Sequence, residues 1–159
     1  MKLRKIAAVS ACVLLGLSVL AGCSSSQKSI TAPTEEIAQK LQESLSFEYP
    51  LNQLSEDAAN RLYKLEGDII EEQSVYVGTG GALADEVSVW RVKDEKDAET
   101  VKEAAETRVE NQKVSFKDYV PAEMPKLEKA VITVEGDTII LCVSADPDKA
   151  KEVIASFEE

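Results

Sequence analysis

Residues 84–119 constrain the fold more than any other stretch. They read ADEVSVWRVK and then DEKDAETVKEAAETRVENQKVSFKDY, an apolar strand running into one long amphipathic helix. Val87 and Val89 alternate onto one face of the strand; Ser88, Trp90 and Val92 share the other. Both faces are partly apolar, so the sheet can be covered on both sides. Asp94 or Asp97 can cap the helix. Ala98, Val101, Ala104/Ala105, Val109 and Gln112 then fall at helical spacing, with Val114 and Phe116 expected to finish the apolar side. Glu99, Lys102, Glu103, Glu106 and Glu110 give the other side a charged face, solvated first and a docking surface second.

The flanks complete the same sheet. Downstream, Val120–Pro125 carries two prolines and reads as a connector. Leu127–Glu135 leads into a strand, Gly136-Asp137 is a two-residue hairpin turn, and Thr138–Ser144 is apolar enough for a central strand. Asp146-Pro147-Asp148 is a cap, a proline at the first helical position and an acid, opening a helix with Ala150, Val153, Ile154 and Phe157 on its apolar side. Upstream, Thr34 caps a helix bearing Ile37, Leu41 and Leu45, which Pro50 breaks; Ser55 caps a second, which Gly67 ends. Asp68–Val77 becomes a strand, and Gly78–Gly81 a turn or bulge. The expected class is α+β: two N-terminal helices, then β-β-α-β-β-α. A mainly antiparallel four-stranded sheet is packed on one side by two helices, with the N-terminal pair at an end or on the other face. One domain spans 33–159.

The start of the chain sets its expected address. Lys2, Arg4 and Lys5 precede an apolar run from Ile6 to Leu20, the layout of a secretory signal over residues 1–22. Leu20-Ala21-Gly22-Cys23 resembles the lipobox of bacterial lipoproteins. That resemblance implies lipidation of Cys23, a mature chain beginning there, and a membrane partner reached through the lipid. It would place the protein on the extracytoplasmic face of the cell membrane. The alternative, an uncleaved membrane helix, has an apolar run shorter than the ~20 residues a span needs. Residues 23–32 read as the lipidated cysteine and a polar tether.

Composition closes several routes. The chain has no histidine, which removes Ser-His-Asp and Cys-His catalysis and every histidine-containing metal site. Net charge is -11; without residues 1–22 it is 15 basic against 29 acidic residues, or -14, so nucleic acid is not an expected partner. With Cys12 in the signal and Cys23 lipidated, Cys142 stands alone in an apolar run and reads as a small buried hydrophobe. No cofactor is expected, and no D-x-D-x-D-G calcium loop occurs.

The export signal and lipobox are followed by Ala84-Asp-Glu86 before an apolar strand, then Arg108, Gln112, Phe116, Tyr119 and Pro121, then an apolar hairpin turning at Gly136. This pattern resembles a family of small lipoproteins from Gram-positive anaerobes, catalogued as domain of unknown function 4358. The likeness covers roughly Ile37 to Ser144. It implies an envelope lipoprotein and supplies no activity.

The polar residues that stand out are Asp85, Glu86, Arg108, Gln112 and Tyr119. Arg108 and Gln112 lie one turn apart on the helix. Glu86 across from Arg108 is either a structural bridge or part of a pocket in which arginine receives a ligand carboxylate. Tyr76 and Trp90 suggest a cross-strand pair or an aromatic platform. The expected function is a non-catalytic binding or protein-interaction module of the envelope. A small-ligand carrier or sensor with a pocket near Arg108 is the alternative, and a carboxylate-based hydrolase the remote one.

Overall fold

The computed structural model describes residues 29–159. The signal segment, Cys23 and the tether as far as residue 28 lie outside the described residues. Five α-helices and five strands follow: α1 (Thr34–Ser44), β1 (Asn52–Gln53), α2 (Glu56–Tyr63), β2 (Ile70–Val77), β3 (Glu86–Val92), α3 (Ala98–Tyr119), α4 (Met124–Glu128), β4 (Val131–Glu135), β5 (Thr138–Val143) and α5 (Pro147–Ala155). The strands form one antiparallel sheet in the order β1-β2-β3-β5-β4.

The fold is therefore α+β, as the pattern indicates, but the sheet has five strands instead of four. The extra strand is Asn52–Gln53, paired with Val77 and Tyr76 at the edge. Two exposed polar residues carry no alternation, so nothing in their sequence marks them as a strand.

Strand parity builds two cores. Val75, Trp90, Val92, Ile139, Leu141 and Val143 pack under residues of α2, α3 and α4. Val87, Val89, Val131, Ile140 and Cys142 pack under α1 and α5. The expectation that the long helix and the C-terminal helix share one side is thus corrected. β5 is buried along its whole length, with apolar side chains on both faces. A single helical layer would leave one of those faces in water, at a cost of about 1.5–3 kcal/mol for each large side chain.

Several local expectations hold. Ser55 accepts from the Ala58 N–H at 3.4 Å at the start of α2, and Asp146 from the Lys149 N–H at 3.0 Å at the start of α5. Asp94 accepts from the Lys96 N–H at 3.1 Å, capping a 3-10 turn (Glu95–Asp97) that leads into α3. The β4–β5 turn has Gly136 at φ 61, the left-handed conformation glycine adopts without steric cost.

Others are revised. Thr34 is the first residue of α1 and not its cap; it is buried, with its hydroxyl 3.1 Å from that of Ser74. α2 ends at Lys64, which takes the left-handed conformation itself at φ 55, before Gly67 is reached. The connector after α3 is helical, a 3-10 turn (Pro121–Glu123) followed by α4. Both prolines sit in a first helical turn, where their missing N–H would have had no partner. Val114 is 76% exposed: the buried residues of α3 step from Ala105 to Val109, Gln112 and Phe116, and position 114 falls between them.

The entry of the chain is fixed. Ile30 is buried, and its carbonyl and that of Ala32 accept from Arg91 Nη2 at 3.2 and 2.7 Å. Thr138 Oγ1 also donates to the Ile30 carbonyl, at 3.3 Å. Residues 30–32 are therefore part of the packed body. Among the described residues, no helix is long and apolar enough to cross a membrane.

Candidate functional site

The sheet end opposite this entry point carries the polar residues. β3 starts there, at Glu86, and passes Arg91 about 17 Å further on. The loop from β2 into β3 is closed by the Gly78 N–H, which donates to the Asp85 carbonyl at 2.7 Å. The approach is tight enough that a Cβ on Gly78 would lie 2.7 Å from the Leu83 Cβ. Between this loop and the C-terminal half of α3 lies a cavity of about 390 Å³. Leu54, Leu62, Val77, Leu83 and Phe116 make its apolar wall; Asp85, Arg108, Asn111, Gln112 and Ser115 bring polar groups to it. Its size is at the lower end for a small-molecule site.

Glu86 and Arg108 do meet. Arg108 donates from Nε at 3.2 Å and from Nη2 at 3.0 Å, both to Glu86 Oε2. The other carboxylate oxygen accepts from Ser88 Oγ at 3.2 Å, and that hydroxyl lies 3.0 Å from Tyr63 Oη. Glu86 is fully buried, and burial pushes its carboxyl above the ordinary range while the Arg108 guanidinium opposes the shift. The pair bridges β3 and α3. Arg108 Nη1 has no protein acceptor among the described residues, and Arg108 is among the residues lining the cavity.

Gln112, one turn along α3, is 7% exposed, and its Oε1 is buried without a donor; Gln73 Oε1, Trp90 Nε1 and Ser144 Oγ are likewise buried without a hydrogen-bond partner among the described residues. A buried amide of this kind is ordinarily satisfied. Tyr119 does not join the group: it is 74% exposed. By spacing it lies on the Gln112 side of α3. Phe116, three residues earlier in the same turn, is buried, so α3 is covered on that side up to its last residues while Tyr119 itself faces outward.

Asp85 belongs to a second network. Lys126 Nζ donates to Asp85 Oδ2 at 2.9 Å and to Glu123 Oε2 at 3.0 Å, and Glu123 Oε2 also accepts the Ala84 N–H at 2.8 Å. Burial raises the Asp85 carboxyl, with Lys126 opposing. Lys126 is itself pushed up by its two carboxylates, against the effect of burial. The i,i+3 spacing of Glu123 and Lys126 was the available signal, hidden by reading the segment as a non-helical connector.

Other candidates resolve differently. Tyr76 and Trp90 make neither a pair nor a platform. Tyr76 is opposite Val87 and Trp90 opposite Gln73, so they point to different sheet faces. Trp90 packs edge-on against Tyr63, ring centroids 4.7 Å apart, while Tyr76 Oη donates to Glu35 Oε1 at 2.6 Å. The acidic side of α3 is partly neutralised by its own lysines: Lys102 lies 2.8 Å from Glu99 and 3.8 Å from Glu106, and Lys113 lies 2.7 Å from Glu110. Cys142 is buried, and burial pushes its thiol up to about 12, far from a reactive thiolate. Among the described residues no group of three His, Cys, Asp or Glu side chains could hold a metal ion.

Fold and site together define a helix-covered antiparallel α+β domain with a small, mixed-polarity cavity at one end of its sheet. The chain belongs to the family described as domain of unknown function DUF4358, whose profile matches residues 43–144. That span contains all five strands and the whole cavity, and leaves α5 and nearly all of α1 outside. No curated protein and no solved structure matches the chain.

Proposed function

We propose that this protein is a lipid-anchored, extracytoplasmic binding module of the cell envelope, non-catalytic, with the cavity between the β2–β3 loop and α3 as its ligand site. The observation that carries the reading is Gln112, a nearly fully buried amide with no donor for its Oε1, kept on the wall of an open cavity beside an incompletely used arginine. A polar group held this way costs stability, and a ligand that completes its hydrogen bonds would account for its presence.

Anchoring rests on the lipobox-like Leu20-Ala21-Gly22-Cys23. Residues 30–32 sit at the sheet end carrying Arg91 and Thr138, so a tether from Cys23 would join the domain at the end away from the cavity. Protein docking on the acidic side of α3 is the second reading. The lysine partners along that side weaken it, because they leave less uncompensated charge to attract a cationic surface.

A thermal-shift screen of the full-length chain in lipid nanodiscs, against capped and free amino acids, sugars, cell-wall fragments and divalent metals, tests the reading. A ligand at 100 times its Kd stabilises by about 2.7 kcal/mol. The expected result is a stabilising compound whose effect is lost in Asn111→Trp, at the exposed rim of the cavity. A flat screen on the folded protein overturns the ligand reading. Membrane anchoring is checked separately, by mass spectrometry of the mature N-terminus and by its loss in Cys23→Ala.

A further inference from the structure

We infer that the cavity takes a neutral, amide-bearing ligand with an apolar side group: a capped apolar amino acid or a short uncharged stretch of peptide. The inference rests on the cavity being a binding site and adds what it binds.

Charge is the first discriminator. Arg108 is already neutralised by Glu86, and Asp85 is among the residues lining the same cavity. Asp85 is likewise committed to Lys126. A charged ligand group of either sign would lose hydration there without meeting an uncompensated opposite charge. A neutral ligand avoids that loss. It can still accept from Arg108 Nη1, because the guanidinium keeps its donors whether or not its charge is balanced.

Hydrogen bonding is the second. The Gln112 amide has a donor end and an acceptor end of nearly the same shape, exchanged by a half-turn of the last side-chain torsion. A ligand amide offers a C=O and an N–H on one plane and can pair with either end. It can also give its carbonyl to Arg108 Nη1, one helical turn away. A hydroxyl-rich sugar would satisfy these groups too, but it would lie against Leu54, Leu62, Leu83 and Phe116, which favour an aliphatic group.

Isothermal titration of the full-length chain in nanodiscs with N-acetyl-leucinamide and with N-acetyl-leucine at pH 7 decides the matter. The amide should bind at least tenfold more tightly than the acid. Gln112→Leu should weaken the amide at least fivefold, and Asn111→Trp should abolish its binding. Asp85→Asn should narrow the gap between amide and acid. The inference is overturned if the acid binds as well as the amide, if Gln112→Leu binds the amide like the parent protein, or if neither compound binds. If neither binds but the screen yields another compound sensitive to Asn111→Trp, the ligand class falls and the binding site stands. If the screen is also flat, both fall.

Discussion

Arg108 grips one oxygen of a fully buried glutamate, Glu86, with two donors, and leaves its Nη1 end turned away from that partner. The pair joins the start of β3 to the middle of α3. Of the two, Arg108 also lines the cavity.

Arg108→Met removes the cation and leaves the Glu86 carboxylate buried without it. The expected loss is about 3 kcal/mol at pH 7, the lower end for breaking a buried pair. Arg108→Met combined with Glu86→Gln should recover part of it, since no buried charge then remains. Urea unfolding of the four proteins of this cycle measures both effects; a single-variant loss below about 1 kcal/mol would contradict the assignment.

Glu86 also makes a pH prediction. Burial lifts its carboxyl above the ordinary 4.5 of the unfolded chain. Between those two values the folded state holds a proton that the unfolded state has released, so the Glu86 contribution falls as pH rises. The stability of the parent protein relative to Glu86→Gln should be greatest below about pH 4.5 and decline as pH rises through the folded value. Asp85 shifts in the same direction, so the difference between the two proteins isolates Glu86. A relative stability that increases over this range would contradict the stated direction.

Gln112→Leu should stabilise the fold. The substitution keeps the side chain's approximate bulk and removes a buried acceptor that has no donor, a group that costs about 1–3 kcal/mol when unsatisfied. A higher urea midpoint with weaker ligand binding is the expected pattern, a cost in stability kept for function. A destabilised Gln112→Leu would show that the amide is satisfied within the fold.

Gly78→Ala tests the loop. Its Cβ would come 2.7 Å from the Leu83 Cβ and 3.2 Å from the Asp85 carbonyl, so the loop must shift. A loss of about 1–3 kcal/mol is expected, as for overpacking. Altered binding should accompany it, because Gly78, Leu83 and Asp85 all line the cavity. Thermal unfolding together with the amide titration checks both.

Much of this was legible in the sequence where a period repeats. The alternation at Val87–Val92, the spacing of α3 and the caps at Ser55, Asp94 and Asp146 are local signals, and each appears in the fold. The Glu86–Arg108 contact was readable because strand and helix adjoin and each offers one conspicuous charge. What escaped depends on tertiary context. Two polar residues become β1 only because β2 presents a free edge. Pro121 and Pro125 mark helix starts, not merely breaks, and that reading hid Lys126 from Asp85. Tyr119 keeps its helical phase but is exposed at the end of α3, where burial depends on neighbouring elements that spacing alone does not carry. The opposite faces of Tyr76 and Trp90 follow from strand register, which pairs Tyr76 with Val87 and not with Trp90.

The cavity beside Arg108 and Gln112 is the proposed ligand site. Methyl NMR of the full-length chain, titrated with the strongest stabiliser from the screen, tests it most directly. Saturable shifts are expected at the methyls of Leu54, Leu62 and Leu83, with Val89 and Ile140 on the other face of the sheet unmoved. Saturable shifts at α1 and α5 with none at the cavity, or no saturable shifts at all, would contradict it.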